Sequence, residues 1–307
     1  MITLIRRNPL GAYFVIAFGV TWALQIPALL IAEGNGQSLT NDDNLRHIFD
    51  LFRGELSGAE ASAFLLFVLG AGPLVGAVVV FAATSGRAGL SDLWRRMTRW
   101  NVAGRWYMVV LGLPVALAAV SVLAGLITGS LDLDSYDALL PASHFIPFLL
   151  YMLIFTGLWE EAGWRGFALP YLQRDNSAIR SSWILGILWG VWHFPVIIYY
   201  NLTVTEVEPA VLVPILAGLV MGTVGWTIVN TWIYNSTESV FLMILLHGWY
   251  NTVNAYLVLP FENMMVATVN AVLPWAIAVF VSKRHGDDDL ADRPRATLPV
   301  GALDSST

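Results

Sequence analysis

The chain has 307 residues, of which 57% are hydrophobic and only 12% are charged. This balance is typical of a membrane protein and excludes an ordinary soluble domain. The formal net charge of −6 leaves no basic footprint for nucleic acid, so we expect no nucleic-acid partner. The sequence contains no cysteine, which excludes disulfides, thiol nucleophiles and thiolate metal sites.

Eight runs of the sequence lack Asp, Glu, Lys and Arg, and each is about 20 residues long or longer. A helix needs about 20 apolar residues to cross the hydrocarbon core of a bilayer. The sequence therefore predicts an all-α, polytopic membrane protein with about eight transmembrane helices. The runs are residues 8–32, 61–86, 106–131, 138–159, 181–205, 209–237, 239–261 and 263–282.

The positions of Arg and Lys predict how the chain is oriented in the membrane. If residue 1 is cytoplasmic, fourteen of these residues fall in cytoplasmic segments and only two, Arg46 and Arg53, fall outside. An excess of positive charge marks the cytoplasmic loops of membrane proteins. We therefore expect both the N- and C-termini in the cytoplasm. We also expect an integral protein of a prokaryotic cell membrane.

Two loops carry amphipathic patterns that are typical of helices lying along a membrane surface. In the loop after the first run, apolar residues recur at helical spacing, and Asn41 or Asp42 is available as the N-terminal cap. In the loop after the second run, an apolar stripe is flanked by arginines. The residues are Leu45, Ile48, Phe49, Phe52 and Leu56 in the first loop, and Leu90, Leu93, Trp94 and Met97 with Arg95, Arg96 and Arg99 in the second.

The remaining features concern domain organisation. The stretch Gly70-Ala71-Gly72-Pro73 inside the second run predicts a kinked helix with close helix contacts. Residues 1–284 are predicted to form a single transmembrane domain. Residues 285–307 are charged, then small and proline-containing, and this pattern predicts a disordered cytoplasmic tail.

A charged cluster, Glu160, Glu161 and Arg165, follows a long segment that has no charged residue. Ionisable residues next to membrane hydrocarbon are costly, and they mark a functional site unless they simply end a helix at the headgroups. On a helix, Glu161 and Arg165 are four residues apart and can pair, whereas Glu160 points about 100° away. This geometry predicts that Arg165 holds Glu161 and that Glu160 faces a site.

Two further pairs with helical spacing are Trp189 with His193 and His247 with Asn251. A single histidine inside an apolar helix is often only a packing residue. Counting residues from the predicted helix ends places His193, His247, Asn251 and Glu160 in the cytoplasmic half of the membrane. We therefore expect these four side chains to converge on one cavity.

These residue types suit the addition of water to a carbonyl group. A carboxylate with a histidine can take a proton from water, and a histidine with an asparagine can donate hydrogen bonds to the oxyanion. The serine motif Gly-x-Ser-x-Gly and the zinc motif His-Glu-x-x-His are both absent from the sequence. Glu160, His193 and His247 could alternatively form a site for zinc or another divalent metal. Because Asn251 is a poor zinc ligand, we expect no cofactor.

The three motifs together resemble those of the CAAX prenyl protease and bacteriocin-processing family (Abi or CPBP) of intramembrane endopeptidases. They occur in the family's order, on separate predicted helices, within residues of about 145–258. The resemblance implies that Glu160 and His193 activate water and that His247 and Asn251 hold the oxyanion. Glu161, Arg165 and Trp189 would be supporting residues. Members of the family have been described both as glutamic proteases and as metalloproteases.

The resemblance also implies a protein or peptide substrate that is associated with the membrane, either prenylated or bacteriocin-like, and contacts with membrane lipids. Two other functions remain open from the sequence. The buried ionisable residues could serve as a proton relay in a membrane transporter, although the chain has no internal repeat. The chain could also be a membrane scaffold that retains the motifs without activity.

Overall fold

The computed structural model describes residues 2–205 and 207–298, and within them the chain is helical without a strand. The α-helices are α1 Ile2–Arg7, α2 Pro9–Gly34, α3 Asn41–Arg53, α4 Gly58–Val68, α5 Gly72–Thr84, α6 Gly86–Met97, α7 Gly104–Ile127, α8 Phe145–Met152, α9 Trp159–Gly163, α10 Leu169–Leu172, α11 Ala178–Trp192, α12 Phe194–Tyr199, α13 Leu212–Thr237, α14 Val240–Leu257 and α15 Met264–His285. Three π-helical segments lie between them, π1 Leu153–Leu158, π2 Trp164–Ala168 and π3 Tyr200–Val204. Short 3₁₀ turns cover Leu133–Ser135, Ala142–His144, Pro209–Val211 and Leu259–Phe261.

The described residues contain five helices that are long and apolar enough to cross a membrane, or up to seven if each of two bent pairs is one span. These spans coincide with seven of the eight predicted runs. The remaining run, residues 239–261, contains α14, which is not among them, because residues such as His247, Asn251 and Asn254 lower its hydropathy. The all-helical membrane fold is thus confirmed, while the count of eight and the orientation of the termini stay predictions.

The predicted kink in the second span is confirmed. Helices α4 and α5 meet at an angle of 51°. A side chain at Gly72 would collide with the carbonyl oxygen of Ala17, so the glycine allows α5 to approach α2 closely. The hydroxyl of Thr21 donates to the Gly70 carbonyl (2.9 Å) and accepts from the Gly72 amide (3.2 Å). Helix α2 therefore satisfies backbone groups that the break leaves without helical partners.

Both amphipathic loops form helices, α3 and α6, but two details differ from the sequence prediction. The cap of α3 is Thr40, whose hydroxyl accepts from the Asp43 amide (3.4 Å), and not Asn41 or Asp42. In α6, the side chain of Arg95 is exposed, but that of Arg96 does not lie on the same exposed face. The Arg96 side chain is buried, because it lies on the same side of the helix as Leu93 and reaches partners in the protein interior.

Residues 285–307 were predicted to be disordered, but residues 285–298 pack against the helices. The amides of Ala178 and Ile179, at the start of α11, donate to the carbonyls of Asp288 (2.8 Å) and Asp287 (3.0 Å). The side chain of Leu298 is 2% exposed. The chain after α15 thus folds back because it offers carbonyl partners to a helix start and apolar side chains to the core. Residues 299–307 lie outside the described residues.

Candidate functional site

The two glutamates lie on α9, a short α-helical segment with a π-helical segment on each side. A side chain at Gly157, in π1, would come within 2.6 Å of the Ile244 carbonyl oxygen on α14. One at Gly163 would collide with Pro73 at the start of α5. These glycines let neighbouring helices approach the backbone around the glutamates. π-Helical segments are rare and frequently accompany functional sites, because they change the direction of side chains within a helix.

Glu161 is 1% exposed and its Oε1 atom has two partners from different helices. The Arg165 guanidinium donates to it at 2.8 Å, and the His247 Nδ1 atom lies at 2.8 Å. Arg165 is itself fully buried and stacks over the Trp189 ring, with 4.6 Å between the guanidinium carbon and the ring centroid. The structure thus contains the Glu161–Arg165 pair that the sequence predicts. It adds a contact to His247 that the sequence analysis did not include.

Glu160 is also buried, with 6% exposure, and it faces a different set of partners. Its Oε2 atom accepts a hydrogen bond from the Trp189 indole at 2.7 Å and another from the Trp164 indole at 3.3 Å. Neutral indole donors hold this carboxylate, whereas Glu161 has an arginine. The two adjacent glutamates therefore differ in environment, in the direction that the helical geometry predicts.

His193 follows the last residue of α11, where the chain bends by 46° into α12. Pro195 lacks an amide hydrogen, which explains why the helix cannot continue unchanged. The Nδ1 atom of His193 lies 2.8 Å from the Trp189 carbonyl oxygen. Because a carbonyl only accepts, Nδ1 carries the hydrogen, and in the neutral ring Nε2 is the basic nitrogen.

Trp189 lies at the centre of the site and contacts most of its members. Its indole N–H binds Glu160, its carbonyl binds His193, and its ring centroid is 5.8 Å from the His193 ring and 5.7 Å from the His247 ring. The sequence analysis gave Trp189 only the role of limiting the rotamers of His193. In the structure it also orients the carboxylate and separates the two imidazoles.

Asn251 lies one turn beyond His247 on α14 and is half-buried. Its amide donates to the Thr156 hydroxyl at 3.3 Å, and Thr156 in turn donates to the Met152 carbonyl at 2.6 Å. The structure therefore joins Glu160, His193 and His247 around Trp189, and it holds Asn251 beside them through Thr156. Thr156 and Trp164 were missed from the sequence, although they stand four residues before and after Glu160.

A metal ion at this site would be held by Glu160, His193 and His247. Both histidines have Nδ1 bonded to an oxygen, an arrangement that metal-bound histidines often show. However, residues 2–205 and 207–298 contain no group of three or more His, Cys, Asp or Glu side chains placed to hold a metal. One of the two Glu160 carboxylate oxygens, Oε2, already accepts from two indoles. The residues as arranged do not fit a His₂Glu site, and no step below uses a metal.

The fold and the site define an integral membrane protein with a buried carboxylate and imidazole cluster among apolar helices. Comparison with known proteins shows what the segment around this cluster is similar to. Residues 142–253 match the model of the family described as type II CAAX prenyl endopeptidase Rce1-like. A stretch of 60 residues is 40% identical to CAAX prenyl protease 2 of Methanococcus maripaludis. That match covers 20% of this chain and 22% of the archaeal protein.

The matched segment contains α9, α11 and α14 up to Val253, and so includes all four residues that the sequence analysis placed in the site. Over this segment the chain is therefore similar to the Rce1-like CAAX endopeptidases, and the segment is the part of the sequence that carries the three motifs.

Proposed function

We propose that this protein is an intramembrane endopeptidase that hydrolyses a peptide bond of a membrane-associated protein or peptide. The observation that supports it most is that Glu160, His193 and His247 meet around Trp189 within the segment that matches an endopeptidase family. A carboxylate, a basic imidazole nitrogen and a second imidazole at one place are the groups that water addition to an amide requires.

In the first step, the Glu160 carboxylate accepts one proton from a water molecule, and His193 Nε2 orients that water by accepting a hydrogen bond from its other hydrogen. The water oxygen attacks the carbonyl carbon of the substrate, and the carbonyl π electrons move to its oxygen. The Trp189 carbonyl keeps the hydrogen of His193 on Nδ1, so that Nε2 faces the water as an acceptor. The indoles of Trp189 and Trp164 fix the direction of the Glu160 carboxylate.

The oxyanion that forms is stabilised by His247 and Asn251. Glu161 accepts from His247 Nδ1 and compensates the positive charge of a doubly protonated ring, which can then donate from Nε2. Asn251 donates from its side-chain amide, whose hydrogen bond to Thr156 holds it near the site. The carbon–nitrogen bond then breaks, and the proton taken from water passes to the leaving amine. One peptide bond and one water give a carboxylate and an amine.

The substrate class follows from the surroundings of the site. Glu160 and Glu161 lie among apolar helices, so the scissile bond must reach them from the membrane or from its surface. The matched archaeal relative is named a CAAX prenyl protease. We propose a protein or peptide substrate that a prenyl group or an apolar segment anchors in the membrane, and a bacteriocin-like peptide as the second candidate.

Hydrolysis and transport can be separated by one comparison. The purified protein in detergent is mixed with a prenylated CAAX peptide, and products are measured by mass spectrometry. The same protein is placed in sealed vesicles and tested for proton-coupled uptake. An endopeptidase cuts the peptide in detergent, where no second compartment exists. Uptake without cleavage would support the transporter, and neither activity would support the scaffold.

We further propose that the reaction needs no metal. After prolonged treatment of the purified enzyme with a chelator, we expect cleavage of the prenylated peptide at an unchanged rate, because carboxylate and imidazole supply the proton transfer. Metal analysis of the same sample by mass spectrometry is the second readout. Two results together would contradict the metal-free mechanism. The chelator would abolish cleavage and added zinc would restore it, and the metal analysis would find one tightly bound zinc per chain.

The site is proposed to open toward the cytoplasm, with both termini on that side. Reporter fusions after Arg99, Asn176 and Gly286 should give cytoplasmic signals, because Arg and Lys are concentrated in these segments. Fusions within residues 34–53 and 132–137 should give external signals. A cytoplasmic signal from residues 132–137 would contradict the proposed arrangement of eight helices.

A further inference from the structure

Arg96 is a buried arginine on α6, which is one of the helices outside the candidate transmembrane spans. It is 6% exposed. Its Nη1 atom donates to the Gly166 carbonyl at 2.7 Å and to the Tyr234 hydroxyl at 3.0 Å, and its Nε atom donates to Asp92 at 2.9 Å. A buried guanidinium is costly unless it is paired and hydrogen-bonded, so a position that keeps one calls for a specific role.

The Gly166 carbonyl belongs to π2, the π-helical segment that directly follows the two glutamates. α6 also packs closely against Gly166, because a Cβ atom there would lie 2.6 Å from Leu93 Cδ1. Leu93 and Arg96 are three residues apart on one side of α6. Helix α6 thus contacts π2 at Gly166 in two ways, through the apolar side chain of Leu93 and through the hydrogen bond from Arg96.

The π-helical form of this segment decides where the glutamates point. A π segment holds one more residue in its turn than an α-helix, and each residue of an α-helix rotates the chain by about 100°. If π2 relaxed to α-helix, Glu160 and Glu161 would rotate by about this angle relative to the chain after Ala168. That chain is fixed, because the C-terminal segment binds it: the Leu298 amide donates to the Pro170 carbonyl (3.3 Å).

We propose that Arg96 is a positioning residue, which holds π2 in its π-helical form and so keeps Glu160 directed at the site. The role deepens the proposed endopeptidase function and rests on it. Arg96 touches neither glutamate in this arrangement and acts only through the Gly166 carbonyl. A helix at the membrane surface is thereby coupled mechanically to the catalytic carboxylate.

Arg95 provides a matched control for this proposal. It precedes Arg96 on the same helix, pairs with the same Asp92, and has a side chain that is 69% exposed. Its described polar partner is Asp92 and not π2. The pair Arg96→Met and Arg95→Met therefore separates the contact with Gly166 from a general loss of positive charge on α6.

The test measures kcat and KM for the prenylated peptide, and amide hydrogen exchange of residues 159–170 by mass spectrometry. In Arg96→Met, kcat should fall about 10- to 100-fold with KM within about threefold, since misplacing a catalytic group by about 1 Å costs on the order of 10²-fold. Exchange should rise in residues 164–168. Arg95→Met should stay within about twofold of the wild type in both measurements. Arg96→Lys, which keeps a charge and a donor, should give an intermediate kcat.

Equal kcat and equal exchange in Arg96→Met and Arg95→Met would overturn the proposal. A rise in KM alone, with unchanged kcat and unchanged hydrogen exchange, would overturn the proposal as well. If Arg96→Met cannot be purified in folded form, kcat and hydrogen exchange are compared between Arg96→Lys and Arg95→Lys instead. The exchange measurement does not depend on peptide cleavage. If the wild type cleaves no peptide, the proposed function is contradicted. Hydrogen exchange of residues 164–168 still shows whether Arg96 stabilises π2.

Discussion

Replacing Glu160 with glutamine should abolish most peptide hydrolysis and leave the fold intact. Glutamine keeps the size of the side chain, and its amide oxygen can still accept from the indoles of Trp189 and Trp164. What it loses is the ability to take a proton from water. We expect kcat to fall by a factor of about 10²–10⁴, as for the loss of a general base.

The measurement is steady-state cleavage of the prenylated peptide, with size-exclusion chromatography and thermal unfolding as controls for the fold. His193→Ala should show a similar loss of kcat, because Nε2 orients the attacking water as a hydrogen-bond acceptor. Asn251→Ala should lose about 10²–10³, as for one oxyanion donor. A Glu160→Gln protein with undiminished kcat would refute the role given to this carboxylate, whatever happens in the other variants.

Replacing the adjacent Glu161 with glutamine should instead remove most of the folded protein. Its carboxylate is the partner of both Arg165 and His247, and Arg165 is fully buried. Removing one member of a buried ion pair leaves the other charge uncompensated, which typically lowers the free energy of unfolding by about 3–5 kcal/mol. We expect a large drop in the yield of monodisperse protein in detergent and a lower unfolding temperature.

Glu33→Gln serves as the control, because Glu33 is an exposed glutamate near the end of α2. It undergoes the same chemical change without a buried partner and should leave yield and unfolding temperature unchanged. If Glu161→Gln folded as well as Glu33→Gln and lost only kcat, the division of roles between the two glutamates would need to be redrawn.

The parts of the site that could be predicted from the sequence are the local ones. Glu161 and Arg165 pair because residues four apart face each other on a helix, and the same spacing brings the Trp189 carbonyl to His193. The spans could be predicted because an apolar run of about 20 residues indicates a transmembrane helix. The kink at Gly72 was readable because small residues and a proline occur together there.

The parts that could not be predicted depend on contacts between distant residues. The bond between Glu161 and His247 joins positions 86 residues apart, and the bond between Glu160 and Trp189 joins positions 29 apart. No spacing within one helix encodes either of them. The π segments were also not predicted, since one inserted residue within a helix leaves no recognisable mark in the spacing of side chains over so short a segment. Trp164, four residues after Glu160, could have been found by applying the rule that found Arg165.

Arg96 and the chain after α15 were misjudged for a related reason. A charged residue beside an amphipathic stripe is normally exposed. Burial of Arg96 becomes favourable because the Gly166 carbonyl and the Tyr234 hydroxyl, which are distant in sequence, add to its pairing with Asp92. Likewise, residues 287–298 look polar in isolation. Their order comes from partners supplied elsewhere, such as the free amides at the start of α11.

The central claim, that Glu160 directs hydrolysis of a peptide bond in the membrane, is tested most directly by mass spectrometry of peptide termini. Membranes containing equal amounts of the wild type or of Glu160→Gln would be compared after incubation. We predict new C- and N-termini in one or more membrane-associated proteins with the wild type, and their absence with Glu160→Gln. The same termini in both samples, or none in either, would contradict the claim.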